Sequence, residues 1–156
     1  MQNKNLKWCF GLRDGLRVLE PNERLAKSYL SEAKLSLARA EKNFKDGDLL
    51  WTTVVLYYAE YYALYAFLQR IGLKCENHTC SILAATLLLG EEKMRSINQH
   101  KDKRIDAQYY MKIDQEEQVS KMLQEAKLFV STFDELVSKI NESEIVRHRK
   151  NIQEQS

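Results

Sequence analysis

Arg95, His100 and Arg104 lie five and four residues apart in a stretch crowded with cations. These residue types suit metal-free RNA cleavage, which needs a base for the 2′-hydroxyl, an acid for the leaving oxygen and a cation for charge building on phosphorus. Histidine serves the first two at neutral pH, and arginine the third. On a straight helix His100 and Arg104 share a face, because a step of four brings side chains together; the step of five from Arg95 to His100 does not. The same stretch, Lys93 to Arg104, adds Lys93, Lys101 and Lys103 against one acid, Asp102. It reads either as a phosphate-binding rim for RNA or a nucleotide, or as a solvated linker whose charge Glu91 and Glu92 offset.

Other constellations carry less. Cys75, His78 and Cys80 form a C-x-x-H-x-C cluster, but a closed zinc site needs four ligands and no second pair stands nearby. Cys9 reaches it only if the N-terminal arm folds back. The plainer reading is a helix start with buried cysteines and His78 near the cap, so no metal is expected. Glu60 sits among tyrosines; it is either a functional acid in a cleft or, as we expect, the occupant of a solvated strip that accepts a tyrosine hydrogen bond. Gly11-Leu12-Arg13-Asp14-Gly15 lacks the Lys-Ser/Thr and the strand of a phosphate-cradling loop.

The elements that position these residues read as helices. Pro21 ends a mixed arm at residues 1–20, and Asn22 is a candidate N-cap for a helix to Lys45 with its apolar stripe at Leu30, Ala33, Leu37, Ala40 and Phe44. Asp46-Gly47-Asp48 makes a turn into a second helix, about 49–71. This helix is apolar nearly all round and holds Tyr57, Tyr58, Tyr61, Tyr62 and Tyr65, five of the eight tyrosines. A third helix runs about 78–89 and stops at Gly90. The polar stretch follows, then a short helical segment through RIDAQYYMK. Asp114, with Glu117 three residues on, opens a last helix whose stripe runs from Val119 to Ile140. The tail 141–156, with RHRK at 147–150, is expected to fray. No segment shows strand period. The fold class is all-α: an up-down bundle of four main helices plus a short insert, one domain over 21–140.

Composition limits the function classes. Twenty-four basic against 22 acidic residues give a net charge of +2, so no global field draws nucleic acid or anionic membrane and a polyanion site must be local. The apolar run Leu49–Leu68 is interrupted centrally by tyrosines and Glu60, which suits a core helix better than a membrane span. Three cysteines with no signal-peptide pattern suggest a reducing, cytoplasmic setting.

The tyrosine helix, the Gly72-Leu-Lys-Cys-Glu-Asn-His78 connection and Arg104-Ile-Asp-Ala-Gln-Tyr-Tyr110 together resemble the HEPN superfamily, over about residues 10–140. The resemblance implies a helical bundle that commonly forms a homodimer and works without a cofactor. Many members are metal-independent endoribonucleases, often toxins neutralised by a small nucleotidyltransferase. Their site is an arginine followed four to six residues later by histidine, the two copies meeting at the dimer interface. Arg104 stands at the arginine's position, but Tyr109 stands five residues on, and a phenol of pKa about 10 is a poor base at neutral pH. Arg95 to His100 matches the spacing nine residues too early. The resemblance therefore implies phosphate binding by Arg104, with His100, Tyr109 or Tyr110 assisting and Lys93, Arg95, Lys101 and Lys103 on the rim. The competing expectation is a catalytically silent helical dimer that binds a protein partner.

Overall fold

A computed structural model describes residues 5–156. Helix α1 (Leu6–Gly11) and a short strand β1 (Arg17–Val18) precede helix α2 (Glu23–Lys45). The chain then runs through α3 (Leu49–Ile71), strand β2 (Leu73–Lys74), α4 (His78–Leu89), α5 (Glu91–Tyr110), α6 (Glu116–Lys139) and α7 (Glu142–Gln153). The protein is an all-α bundle. Its four long helices are α2, α3, α5 and α6.

Several boundaries follow from local chemistry. Asn22 Oδ1 accepts from the Leu25 backbone N–H at 2.9 Å, Asp48 Oδ1 from that of Trp51 at 3.0 Å, and Asn77 Oδ1 from that of Cys80 at 3.1 Å. Each satisfies a donor that the first helical turn leaves open. Helix α3 ends at Gly72, whose φ of +81° suits glycine and whose missing side chain leaves room for the Leu19 carbonyl and the Arg149 guanidinium.

Helix α3 is the spine. Leu56, Ala59, Ala63, Leu64, Phe67 and Leu68 are fully buried, enclosed by α2, α5 and α6. Alanines let neighbouring backbones approach, and the tyrosines stack: Tyr29 of α2 meets Tyr65 edge-on at 4.8 Å between ring centroids. Among the described residues no helix is long and apolar enough to cross a membrane.

Four expectations are corrected. The polar stretch and the RIDAQYY segment are one continuous helix, α5, rather than a linker and an insert, because Met94, Ile97, His100, Arg104 and Ala107 bury one face of it at helical spacing. Asp114 does not cap the last helix; it bonds Lys103 Nζ, and the N-cap is Gln115, which makes no side-chain capping bond. The tail does not fray. Ile145, His148 and Ile152 of α7 are buried, and Arg149 Nη1 donates to the Leu19 and Ile71 carbonyls at 2.7 and 2.8 Å. The arm also acquires a strand, since Arg17–Val18 pairs antiparallel with Leu73–Lys74. Two residues per strand are too few to show a period.

Candidate nucleic-acid interface

Ser96, His100 and Arg104 occupy successive turns of α5 and face α3. The two helices run antiparallel along this line, so Ser96 and His100 meet Glu60 whereas Arg104 meets Tyr57 and Tyr58 further back on α3. Glu60 is fully buried. It accepts a hydrogen bond from Ser96 Oγ, and its Oε1 lies 2.5 Å from His100 Nδ1. The expected solvated strip does not exist at Glu60: two α5 side chains enclose it. Burial raises its pKa above the ordinary carboxylate value, with His100 and then Ser96 opposing the rise. His100 shares a face with Arg104 as its spacing requires. At 1% exposure, however, it is closed off from solvent and serves the helix packing.

Arg104 is 9% exposed and lies among aromatic rings. Its guanidinium carbon is 5.1 Å from the Tyr57 ring centroid, 5.6 Å from that of Tyr58 and 5.9 Å from that of Tyr109. Nη1 donates to Gln108 Oε1 at 3.3 Å, the guanidinium also bonds the Tyr57 phenol, and Nε is buried with no hydrogen-bond partner. No carboxylate among the described residues pairs with it. A guanidinium so placed gains from the ring faces but keeps unspent donors and an uncompensated charge. Tyr109 and Tyr110 at the end of α5 are 67% exposed. Helix α5 thus ends in a nearly covered cation flanked by open aromatic surface.

A histidine that the sequence reading placed only beside the cysteines and the helix cap completes this cluster. His78 opens α4, and its Nδ1 lies 2.8 Å from the Tyr57 hydroxyl. Its ring stacks on Tyr61 at 3.8 Å and 9°. Tyr61 in turn is 3.1 Å from Ser81 Oγ. Partial burial, then the positive charges of Arg104 and Lys101, push the His78 pKa down to about 4, so the imidazole is neutral at pH 7. Burial likewise raises the Tyr57 phenol far above its usual range, and Arg104 opposes that rise only in part. Tyr57 and Tyr61, four apart on a helix, were the available signal, since they mark a face able to grip a planar ring.

A family model for the HEPN domain matches residues 26–136, which include all of α3, α4 and α5. The chain belongs to the HEPN family. Membership supports a nucleotide- or RNA-binding module, of a kind that often cleaves RNA. No curated protein matches the sequence.

Within this HEPN domain the remaining expected site residues spread along α5. Lys101 is half-buried and its Nζ donates to Thr79 Oγ1 of α4 at 2.6 Å. Arg95 and Lys101 line a cavity of about 400 Å³ between α4 and α5, together with Thr79, Asn98 and Gln99. Lys93 and Arg95 also border a larger cavity of about 750 Å³, toward Glu125 and Phe129 of α6. Lys103 is held by Asp114 at 3.0 Å, an ion pair that already offsets its charge. Arg104 lines neither cavity, and the rim is a broken track rather than one patch.

The cysteine cluster follows the plainer reading, a helix start with buried cysteines and His78 beside the cap, and adds a bond that neither reading offered. The arm folds back, with the Leu16 N–H bonded to the Cys9 carbonyl, and Cys9 and Cys80 form a disulfide. Gly15 permits this fold: a Cβ there would stand 1.8 Å from the Cys9 oxygen. Cys75 remains a free buried thiol that donates to the Asn77 carbonyl, and burial raises its pKa. Among the described residues no group of three His, Cys, Asp or Glu side chains could hold a metal. The expectation of separate buried thiols in a reducing setting is thus corrected for Cys9 and Cys80, which the folded arm brings together.

Proposed function

We propose that this HEPN chain binds single-stranded RNA, with a backbone phosphate on Arg104 and neighbouring bases stacked on Tyr109 and Tyr110. The single observation that carries this reading is a guanidinium nine-tenths covered, without an acid partner and with an orphaned Nε–H. A phosphate offers that group the charge and the paired acceptors it lacks. Exposed tyrosines beside it supply the sequence-tolerant stacking that single-strand binders use. Arg95 and Lys101 on the α4–α5 groove extend the positive track, with Lys93 and Lys103 as weaker outer contacts.

In this reading the protein works as a homodimer, with Tyr109, Tyr110 and the equally exposed Met111 near the two-fold so that two Arg104 side chains share one groove. Its role is that of a toxin-like endoribonuclease paired with a small nucleotidyltransferase antitoxin, as the family resemblance suggests. The aromatic packing around Arg104 favours one rival: a silent dimer in which that residue is a structural strut and the partner is a protein. Fluorescence anisotropy with a labelled oligoribonucleotide in chelator separates them. Arg104→Gln should weaken binding at least tenfold and flatten its salt dependence; equal affinity of variant and wild type contradicts the RNA reading.

A further inference from the structure

Helices α4 and α5 enclose a slot to which Arg104 does not contribute. Thr79, Ile82, Leu83 and Thr86 recur at steps of three and four on α4 and form one wall of it. Glu91, Arg95 and Asn98 recur the same way on α5 and form the other. The α4 wall is apolar at its middle, where Ile82 and Leu83 sit, whereas the α5 wall carries hydrogen-bonding groups. A flat ring with an apolar face and a polar edge fits between two such walls. The cavity of about 400 Å³ is of the size that small ligands occupy. Arg95, Asn98 and Gln99 are exposed, so the slot opens to solvent.

The polar wall holds unspent capacity. Glu91 and Arg95 stand at the spacing of a helical ion pair, yet among the described residues neither forms an ion pair or a side-chain hydrogen bond. Asn98 Nδ2 donates to the Met94 carbonyl at 3.0 Å, which leaves its Oδ1 available. An unpaired carboxylate beside an unpaired guanidinium offers paired acceptors next to paired donors. Guanine alone among the RNA bases presents the complement, since O6 and N7 accept while N1–H and the N2 amino group donate on the adjoining edge. Adenine and cytosine would each turn a ring lone pair toward the carboxylate, and uracil brings a single ring N–H.

We propose that the α4–α5 slot binds a guanine base lying on Ile82 and Leu83, with Arg95 donating to O6 and N7 and Glu91 accepting from N1–H and the N2 amino group. Side chains four apart on a helix stand about 5–6 Å apart at Cβ, close enough to reach one base. The two acceptor and donor residues also border the larger cavity toward α6. That side adds two acids, Glu92 and Glu125, against Lys93 alone, and so opposes a phosphate-bearing ligand; the α4 side adds Lys101 and no further acid. The base can come from RNA or from a free nucleotide. As an RNA contact the proposal rests on the Arg104 reading, while the slot itself does not. Arg95 precedes Arg104 by roughly 13–14 Å of helix, with Lys101 between them, so a strand seated on Arg104 passes the slot. There Arg95 reads a splayed base, and the strand is preferred when guanine stands at that position.

The test is calorimetric titration of the purified full-length chain, in chelator, with guanosine, inosine, 7-deazaguanosine and adenosine 5′-monophosphates. Alongside it, anisotropy compares adenine-rich oligoribonucleotides with and without one guanine. Guanosine monophosphate should bind at least about tenfold tighter than adenosine monophosphate. The inosine analogue, which lacks the N2 amino group, and the 7-deaza analogue, which lacks the N7 acceptor, should each bind about fivefold more weakly or worse. Glu91→Gln should erase the preference for guanosine over inosine, and Arg95→Lys the preference for guanosine over its 7-deaza form. Both positions are exposed, so both variants should melt with the wild type. No binding of guanosine monophosphate at millimolar concentration, or unchanged discrimination in either variant, overturns the assignment. Arg104-dependent RNA binding without guanine preference removes the slot and leaves the RNA reading standing. Selective guanosine monophosphate binding without RNA affinity does the reverse.

Discussion

Replacing Glu60 with alanine should cost more stability than any surface change in this protein, and the cost follows from its surroundings. The Glu60 carboxyl is fully buried, bonded to Ser96 and 2.5 Å from His100, whose Nε2 makes no hydrogen bond and lies 4.0 Å from Glu125 Oε1. Truncation leaves a buried imidazole and a hydroxyl each without its partner, at roughly 1.5–2.5 kcal/mol apiece and so about 3–5 kcal/mol together. With an unfolding entropy of roughly 2 cal/mol/K per residue, each 1 kcal/mol in a chain of this length lowers Tm by about 3 °C. A drop of about 9–15 °C is therefore expected by circular dichroism at pH 5. Glu60→Gln, which keeps the shape and one acceptor, should lose roughly half as much. The pH dependence has a definite sign. Burial raises the folded pKa of Glu60, so the native state keeps this proton where the unfolded chain has lost it. The stabilisation is whole below the unfolded carboxyl pKa and is lost as pH rises through the folded value. The wild type's advantage over Glu60→Gln should shrink from pH 5 to pH 8. An advantage that grows with pH, or a Glu60→Ala variant melting within 2 °C of wild type as a rough limit, would refute the buried-pair account.

Three further outcomes are expected. Arg149→Ala should lower stability by about 1.5–3 kcal/mol in urea titrations, because its guanidinium bonds the Leu19 and Ile71 carbonyls and anchors α7. Cys9→Ser, or reduction of the oxidised protein, should cost about 2–4 kcal/mol, since the Cys9–Cys80 link closes a separation of 71 residues; mass spectrometry with alkylation should find Cys75 as the thiol that reacts after unfolding. Tyr109→Ala should weaken binding of single-stranded RNA by about 1–3 kcal/mol while leaving Tm unchanged, because its ring is largely exposed.

Helix boundaries were largely legible because they depend on neighbours in sequence. Asp48 and Gly72 bracket α3, and Asn77 and Gly90 bracket α4; each acts on its own helix end through local bonds. The shared face of His100 and Arg104 on α5 was readable too, through their step of four. What escaped depends on partners distant in the chain. His78 gains its meaning from Tyr57, 21 residues earlier, and Glu60 from His100, 40 residues later. Helix α7 concealed its buried Ile145 and Ile152 behind a basic run, because Arg149 points inward to carbonyls rather than out to solvent. Cys9 and Cys80 meet only once the arm has folded, which no spacing rule announces.

The central claim is that the Arg104 guanidinium receives an RNA phosphate, and its side-chain Nε–H reports on this directly. In a nitrogen-edited NMR titration with a short single-stranded RNA in chelator, that resonance should shift and its exchange with water should slow, since Nε is buried now without an acceptor. The same additions to Arg104→Gln should produce little change elsewhere on α5. An Arg104 Nε–H signal that stays fixed while wild-type backbone resonances at other positions saturate with RNA would contradict the account.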